Sequence, residues 1–140
     1  MPSGMRPEDL RKRTKSFALQ VSDLCDRLPP KPKFQNIIEQ LRRAANAASF
    51  NYRAAGRART HAEFTAKIGT VLEKADESQH GLDMLSSLGA QDDKLEWLQR
   101  ESGELVAIFT ASFQTASRRR RRPKRPPKPD DLSGRPSDRR

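Results

Sequence analysis

One cysteine, two histidines and one tryptophan are all that this chain holds of three residue types on which much protein chemistry depends. Cys25 has no second cysteine to pair with, so an intrachain disulfide is excluded and a reducing, cytoplasmic setting is the natural expectation. Its place on an apolar face makes it a small buried hydrophobe. No Cys or His falls at metal-ligand spacing. Glu77-x-x-His80 is half of the motif a di-metal bundle needs, with no facing half, and reads as a surface pair one turn apart. Neighbouring acids such as Asp76-Glu77 and Asp92-Asp93 point to different sides of a helix and do not converge. Phosphate-cradling glycine loops, nucleophile elbows and dinucleotide fingerprints are missing too. These absences predict no catalytic residues, no metal, no cofactor and no enzymatic activity.

Long apolar runs are also lacking. Nothing approaches the roughly 18 residues that cross a bilayer, and no hydrophobic signal core stands at the N-terminus, so no membrane partner is expected. No stretch alternates with a strand's period of two. A hydrophobic share of 34% is low for 140 residues, which implies that part of the chain lies outside any core. Charge shows which part. Residues 118–140 hold 11 Lys/Arg and 3 Asp/Glu, so +8 of the net +10 sits there. Five consecutive arginines, Arg118 to Arg122, are followed by Pro123, Lys124, Arg125 and further prolines. Proline opposes helix and like charges repel, which predicts a disordered or extended basic tail.

What is present in the remainder is helical periodicity. Residues 1–6 are a flexible lead-in, and residues 7–117 are the folded unit. Leu10, Phe17, Val21, Leu24 and Leu28 form the stripe of a first helix that starts near Pro7 and stops at Pro29-Pro30-Lys31-Pro32. Arg11, Lys12, Arg13 and Lys15 lie mostly off that stripe. A second helix from about Lys33 buries Phe34, Ile37, Ile38, Leu41, Ala45, Ala48, Tyr52 and Ala55. It carries a second, small-residue stripe of Ala44, Ala47, Asn51, Ala54 and Ala58, and an outlying Phe50. That stripe suits either a subunit contact through Ala44, Ala47, Phe50, Asn51 and Ala54 or a wide core face. Thr60 and Glu63 form a reciprocal capping box opening a third helix. Its stripe runs from Phe64 to Leu88, weakened by Ser78, Gln79 and Gly81, and ends at Gly89. A fourth helix starts near Asp92, with Gly103 as a weak point. Four amphipathic helices with short connections predict an all-α, antiparallel up-down-up-down four-helix bundle with a basic C-terminal tail.

The run Gln40-Leu41-Arg42-Arg43-Ala44-Ala45, then Asn51, Arg59-Thr60-x-x-Glu63-Phe64, Glu77, Leu82 and Leu88-Gly89, resembles the four-helix-bundle proteins encoded in bacterial 23S rRNA intervening sequences. The likeness spans most of residues 10–117 and carries no catalytic motif. The chain departs from the family pattern at Ser49, Ala54 and Ala55, where the family has Pro, Glu and Gly. The resemblance implies a homopentamer and a cytoplasmic bacterial protein. Related bundles serve as accessory partners of reverse transcriptases in diversity-generating retroelements, which implies that a protein partner of that kind is an alternative.

The functional signal is basic charge. Residues 6–59 carry 13 basic and 5 acidic groups, residues 60–117 only 4 and 10. Arg42, Asn46, Ser49 and Arg53 recur on one helical face that could follow a phosphate backbone, with Arg43 and Arg57 beside it. Pairing of these arginines with the acidic second half is the alternative. The tail cations Arg118, Arg119, Arg120, Arg121, Arg122, Lys124 and Arg125 suit counterion-releasing contacts with RNA or DNA. The expectation is a non-enzymatic oligomer binding nucleic acid electrostatically, with RNA favoured by the resemblance. An adaptor that binds a protein partner, its tail serving only solubility, stands as the alternative.

Overall fold

Two prolines set where the chain begins to wind. Pro7 opens α1 (Pro7–Arg27) and Pro32 opens α2 (Pro32–Ala55). Each stands in the first turn, where a missing N–H breaks no hydrogen bond. The structure, a computed structural model, describes residues 5–121. Thr60 starts α3 (His61–Ser87), its hydroxyl accepting from the Glu63 amide at 3.0 Å. The capping box is half formed, for among the described residues the Thr60 amide donates no return bond to the Glu63 carboxylate.

Gly89 ends α3. At φ 89° it takes the left-handed turn, and Ala90 N–H donates to Leu85 O at 2.9 Å while Gly89 N–H donates to Ser86 O at 3.0 Å. This closes the last turn as a Schellman motif. The last helix, α4 (Leu95–Arg121), begins three residues later than Asp92 suggests. Asp92 still caps the turn that leads into it, accepting from Lys94 N–H at 3.0 Å, and it also holds Arg27 through two bonds of 2.8 Å. At its other end α4 runs to Arg121, so Arg118 to Arg121 continue the helix rather than begin the tail. The rest of that tail, residues 122–140, and the lead-in residues 1–4 lie outside the described residues.

The four helices run antiparallel, each packed against its sequence neighbour, and α1 meets α4 to close the ring. Leu10, Phe17, Val21, Leu24, Leu41, Val71, Leu82, Leu85, Leu98, Leu105 and Phe109 fill the core, all essentially inaccessible. The polar positions that interrupt the apolar stripes are absorbed without penalty. Thr14, Ser78 and Ser102 are fully buried, and each hydroxyl donates to a carbonyl of its own helix, at 2.7, 2.8 and 2.8 Å. A small hydroxyl bonded back to its own backbone leaves no unsatisfied donor in the core.

Glycine bears on helix packing at three points, among them Gly69, where an added Cβ would stand 3.0 Å from Phe113 Cε1. A Cβ on Gly81 would stand 3.2 Å from Leu41 Cβ, so its absence lets α3 press onto α2. Gly103, a weak point by propensity, faces Gln79 of α3. Along α2 the small-residue stripe divides. Ala44 is closed off inside the single chain at 2% exposure, which removes it as a subunit contact; Ala47, Asn51 and Ala54 remain half-buried. The Asn51 amide donates to Ala47 O at 2.8 Å, within its own helix. No described helix is long and apolar enough to cross a membrane.

Candidate nucleic-acid interface

Among the described residues, the ion pairs that join the basic first half of the chain to the acidic second half run from α1 to α4 and to the turn before it, not from α2. Arg13 grips Glu101 with Nε and Nη2, both at 2.8 Å, and reaches Glu104 at 2.6 Å. Arg27 holds Asp92 in the same two-pronged way. Such forked pairs are stronger than single contacts and fix the helices in register. The Arg27 guanidinium, the largest influence, holds the Asp92 carboxyl below its ordinary range. The hydrogen bonds that Arg13 donates to Glu101 likewise keep the guanidinium charged beyond its ordinary value.

With those two arginines turned toward α4, α1 presents Arg11, Lys12 and Lys15 on its other flank. The short Leu28-to-Lys31 connection folds α2 back antiparallel, which sets Asn46, Ser49, Phe50 and Arg53 opposite them. Between the two helices lies a groove of about 510 Å³, walled by these side chains together with Ala18 and Leu19. Among the described residues no carboxylate lines it. Lys12 has a loose 4.0 Å contact with Glu8, and among the described residues Arg11, Lys15 and Arg53 form no ion pair. Apolar surface is interleaved with the charge: Phe50 is 75% exposed and Leu19 57% exposed. On the same helix as Phe50, Tyr52 packs its ring on Phe109 of α4 at 5.3 Å. Burial pushes the Tyr52 phenol up, and Arg11 opposes that shift.

The row Arg42, Asn46, Ser49, Arg53 is therefore split. Ser49 and Arg53 belong to the groove, and Asn46 borders it. Arg42 is not free: its Nη2 donates to Asp26 at 3.0 Å. It lines a separate cavity of about 730 Å³ with Arg43, Asp26, Glu39 and the buried Cys25. Charges of both signs cancel there, which leaves little field for an anion. Burial pushes the Cys25 thiol up, against the pull of Arg42, so it stays an unreactive thiol.

Arg57 is exposed in the turn after α2, its amide donating to Ala54 O at 3.0 Å. Arg118 and Arg119 are exposed on the last turns of α4. Arg120 and Arg121 extend the helix, while Arg122, Lys124 and Arg125 lie outside the described residues. His61 at the start of α3 lies 3.0 Å from Ala116 O near the end of α4, through Nε2. The antiparallel order thus gathers Arg6, Arg11, Arg53, Arg57, Arg59, Arg118 and Arg119 toward one end of the bundle. At that end Asp9 is drawn to Arg6 at 3.6 Å and Glu8 to Lys12.

Reading the helices singly missed Arg11, Lys12, Lys15 and Leu19. The signal was available in the short Pro-rich turn: an antiparallel hairpin places residues 11–19 beside residues 46–53, so two modest basic faces become one.

The fold has a counterpart among solved structures. A protein of unknown function from the S23 ribosomal protein family of Bacteroides thetaiotaomicron matches with a TM-score of 0.66 at 20% identity, over 79% of this chain and 99% of that one. At that identity the likeness is one of fold. No family model matches the sequence, and neither does any curated protein.

Proposed function

We propose that this protein is a non-enzymatic nucleic-acid-binding bundle, with RNA as its preferred polyanion. The observation that carries this reading is the carboxylate-free groove between α1 and α2, in which Arg11, Lys12, Lys15 and Arg53 stand around exposed apolar surface. Cations placed on phosphates release condensed counterions, a gain that a surface of mixed sign cannot match. Arg118 and Arg119 at the end of α4 add to this charge, and residues 118–140 carry +8 of the net +10. The sequence resemblance to proteins encoded in ribosomal RNA intervening sequences favours RNA over DNA.

The protein acts as a homo-oligomer in this reading, five copies by the family resemblance. Ala47, Asn51 and Ala54 on α2 are the half-buried small residues that would let a second copy approach closely. Several basic poles in one particle raise affinity through effective concentration.

Gel-shift titration at rising salt tests the reading with the full chain and with a chain ending at Arg121, which keeps all of α4. Binding by the full chain that weakens steeply with salt is expected. Truncation lowers affinity and flattens the salt slope, while residual binding stays with the bundle. A full chain that binds neither RNA nor DNA at low salt refutes the proposal and favours a protein partner, for which Phe50 and Trp97, 75% and 37% exposed, are the apolar contacts. Light scattering tests the assembly, and a monomer at micromolar concentration would remove it.

A further inference from the structure

The groove has a feature that electrostatics does not require. Phosphate contacts alone need cations on a solvated surface, and exposed large apolar groups there carry a hydration penalty with no return. Yet Phe50 stands 75% exposed and Leu19 57% exposed at the same walls as Lys15 and Arg53. Every other phenylalanine among the described residues is buried or half-buried. An aromatic face set among unpaired cations is the arrangement that holds an unstacked base while its flanking phosphates are neutralised. A duplex has no free base face to offer to such a platform.

Resting on the nucleic-acid reading above, we propose that the α1–α2 groove is a single-strand site, in which Phe50 stacks one unpaired base and Arg11, Lys15 and Arg53 hold the adjoining phosphates. The groove's length agrees with this. From Arg11 to Leu19 α1 rises about 12 Å at 1.5 Å per residue, the reach of a short single-stranded segment. The absence of carboxylates makes the occupant an anion, and the exposed ring makes it one with a flat apolar face. RNA loops and ends meet both conditions.

The test uses the full chain, a labelled oligouridine strand and a labelled RNA duplex of the same length, with fluorescence anisotropy at several salt concentrations. Phe50→Ala is expected to weaken single-strand binding about 5- to 150-fold, the range for removing one base–aromatic stack, and to leave duplex binding unchanged. Phe50→Trp restores it. Replacing Arg11, Lys15 and Arg53 together by Ala lowers the slope of log affinity against log salt for the single strand by about 2, at roughly 0.7 for each phosphate left without its cation. Size-exclusion chromatography of Phe50→Ala accompanies the binding curves.

Equal weakening on strand and duplex together with a change of oligomeric state would overturn the proposal, making Phe50 a contact between copies. Displacement of the strand by polyglutamate as readily as by unlabelled oligouridine would also overturn it, making the groove an acidic-peptide site. Binding that survives all of these substitutions refutes the groove while leaving the wider nucleic-acid reading in place. Failure of the unaltered chain to bind any strand or duplex refutes both.

Discussion

Arg13 is the side chain whose removal tests the architecture behind the groove most directly, because it decides where α1 sits. It makes two hydrogen bonds of 2.8 Å to Glu101 and one of 2.6 Å to Glu104. The Arg13 side chain is 23% exposed and that of Glu101 only 11%, whereas Glu104 is 66% exposed. Stripping one partner from a fully buried pair costs roughly 3–5 kcal/mol, because the other charge is left without solvent. Water reaches the rim of this pair, so the destabilisation in Arg13→Ala comes down to about 2 kcal/mol. For a domain of this size that lowers the melting temperature by about 8 °C. Glu101→Gln is milder, about 1 kcal/mol, since Arg13 keeps Glu104 and water. Glu104→Ala changes stability by less than about 0.5 kcal/mol, as expected of an exposed partner. Urea unfolding followed by circular dichroism measures all three. If Arg13→Ala and Glu104→Ala agree within about 0.5 kcal/mol, the Glu101 charge is solvated without Arg13 and the pair does not hold α1 against α4.

Other consequences can be checked alongside. Asp92 has its carboxyl held below the ordinary value by Arg27, so its contribution is fully present above pH 3.8 and fades as pH falls through the depressed native value. Asp92→Asn should therefore be less stable than the parent at neutral pH, and thermal melts of the two should converge in strong acid. Gly81→Ala sets a Cβ 3.2 Å from Leu41 Cβ and 3.6 Å from its Cα, atoms that cannot swing away, so a net destabilisation of about 1–2 kcal/mol in urea melts is expected despite better helix propensity. Gly103→Ala meets only Gln79 Nε2, at 3.2 Å, a flexible end that can move. It should be neutral or stabilising by up to about 1 kcal/mol. Thr60→Ala removes the acceptor for the Glu63 amide and should cost about 1 kcal/mol in the same assay.

The helices and their termini were legible because the forces that place them are local. Pro7 and Pro32 open helices by their own geometry, Thr60 caps by a bond three residues long, and Gly89 closes α3 by adopting a turn other residues resist. Asp92 shows where local reading stops. Its side chain caps the turn before α4 by a local bond to the Lys94 amide, but the Arg27 of a different helix that shares the carboxylate could not be read from local spacing. Ser78 and Ser102 make the same point in reverse. Both look like interruptions of an apolar stripe, yet both are wholly buried, since a serine bonded to its own helix is small enough to pass for alanine in a packed layer.

Of the candidate site, the sequence by itself determined its sign and its material: an excess of basic residues up to Arg59 and arginines after Ser117. Only the tertiary structure decided which cations stand together. Periodicity within one helix reports angles about that helix's own axis and says nothing of the rotation of its neighbours. Packing turned Arg13 and Arg27 toward α4, gave Arg42 to Asp26, and closed Ala44 inside the chain. Arg11, Lys15 and Arg53 were left beside Phe50, in a groove that exists only because a Pro-rich turn of a few residues brings two helices back to back.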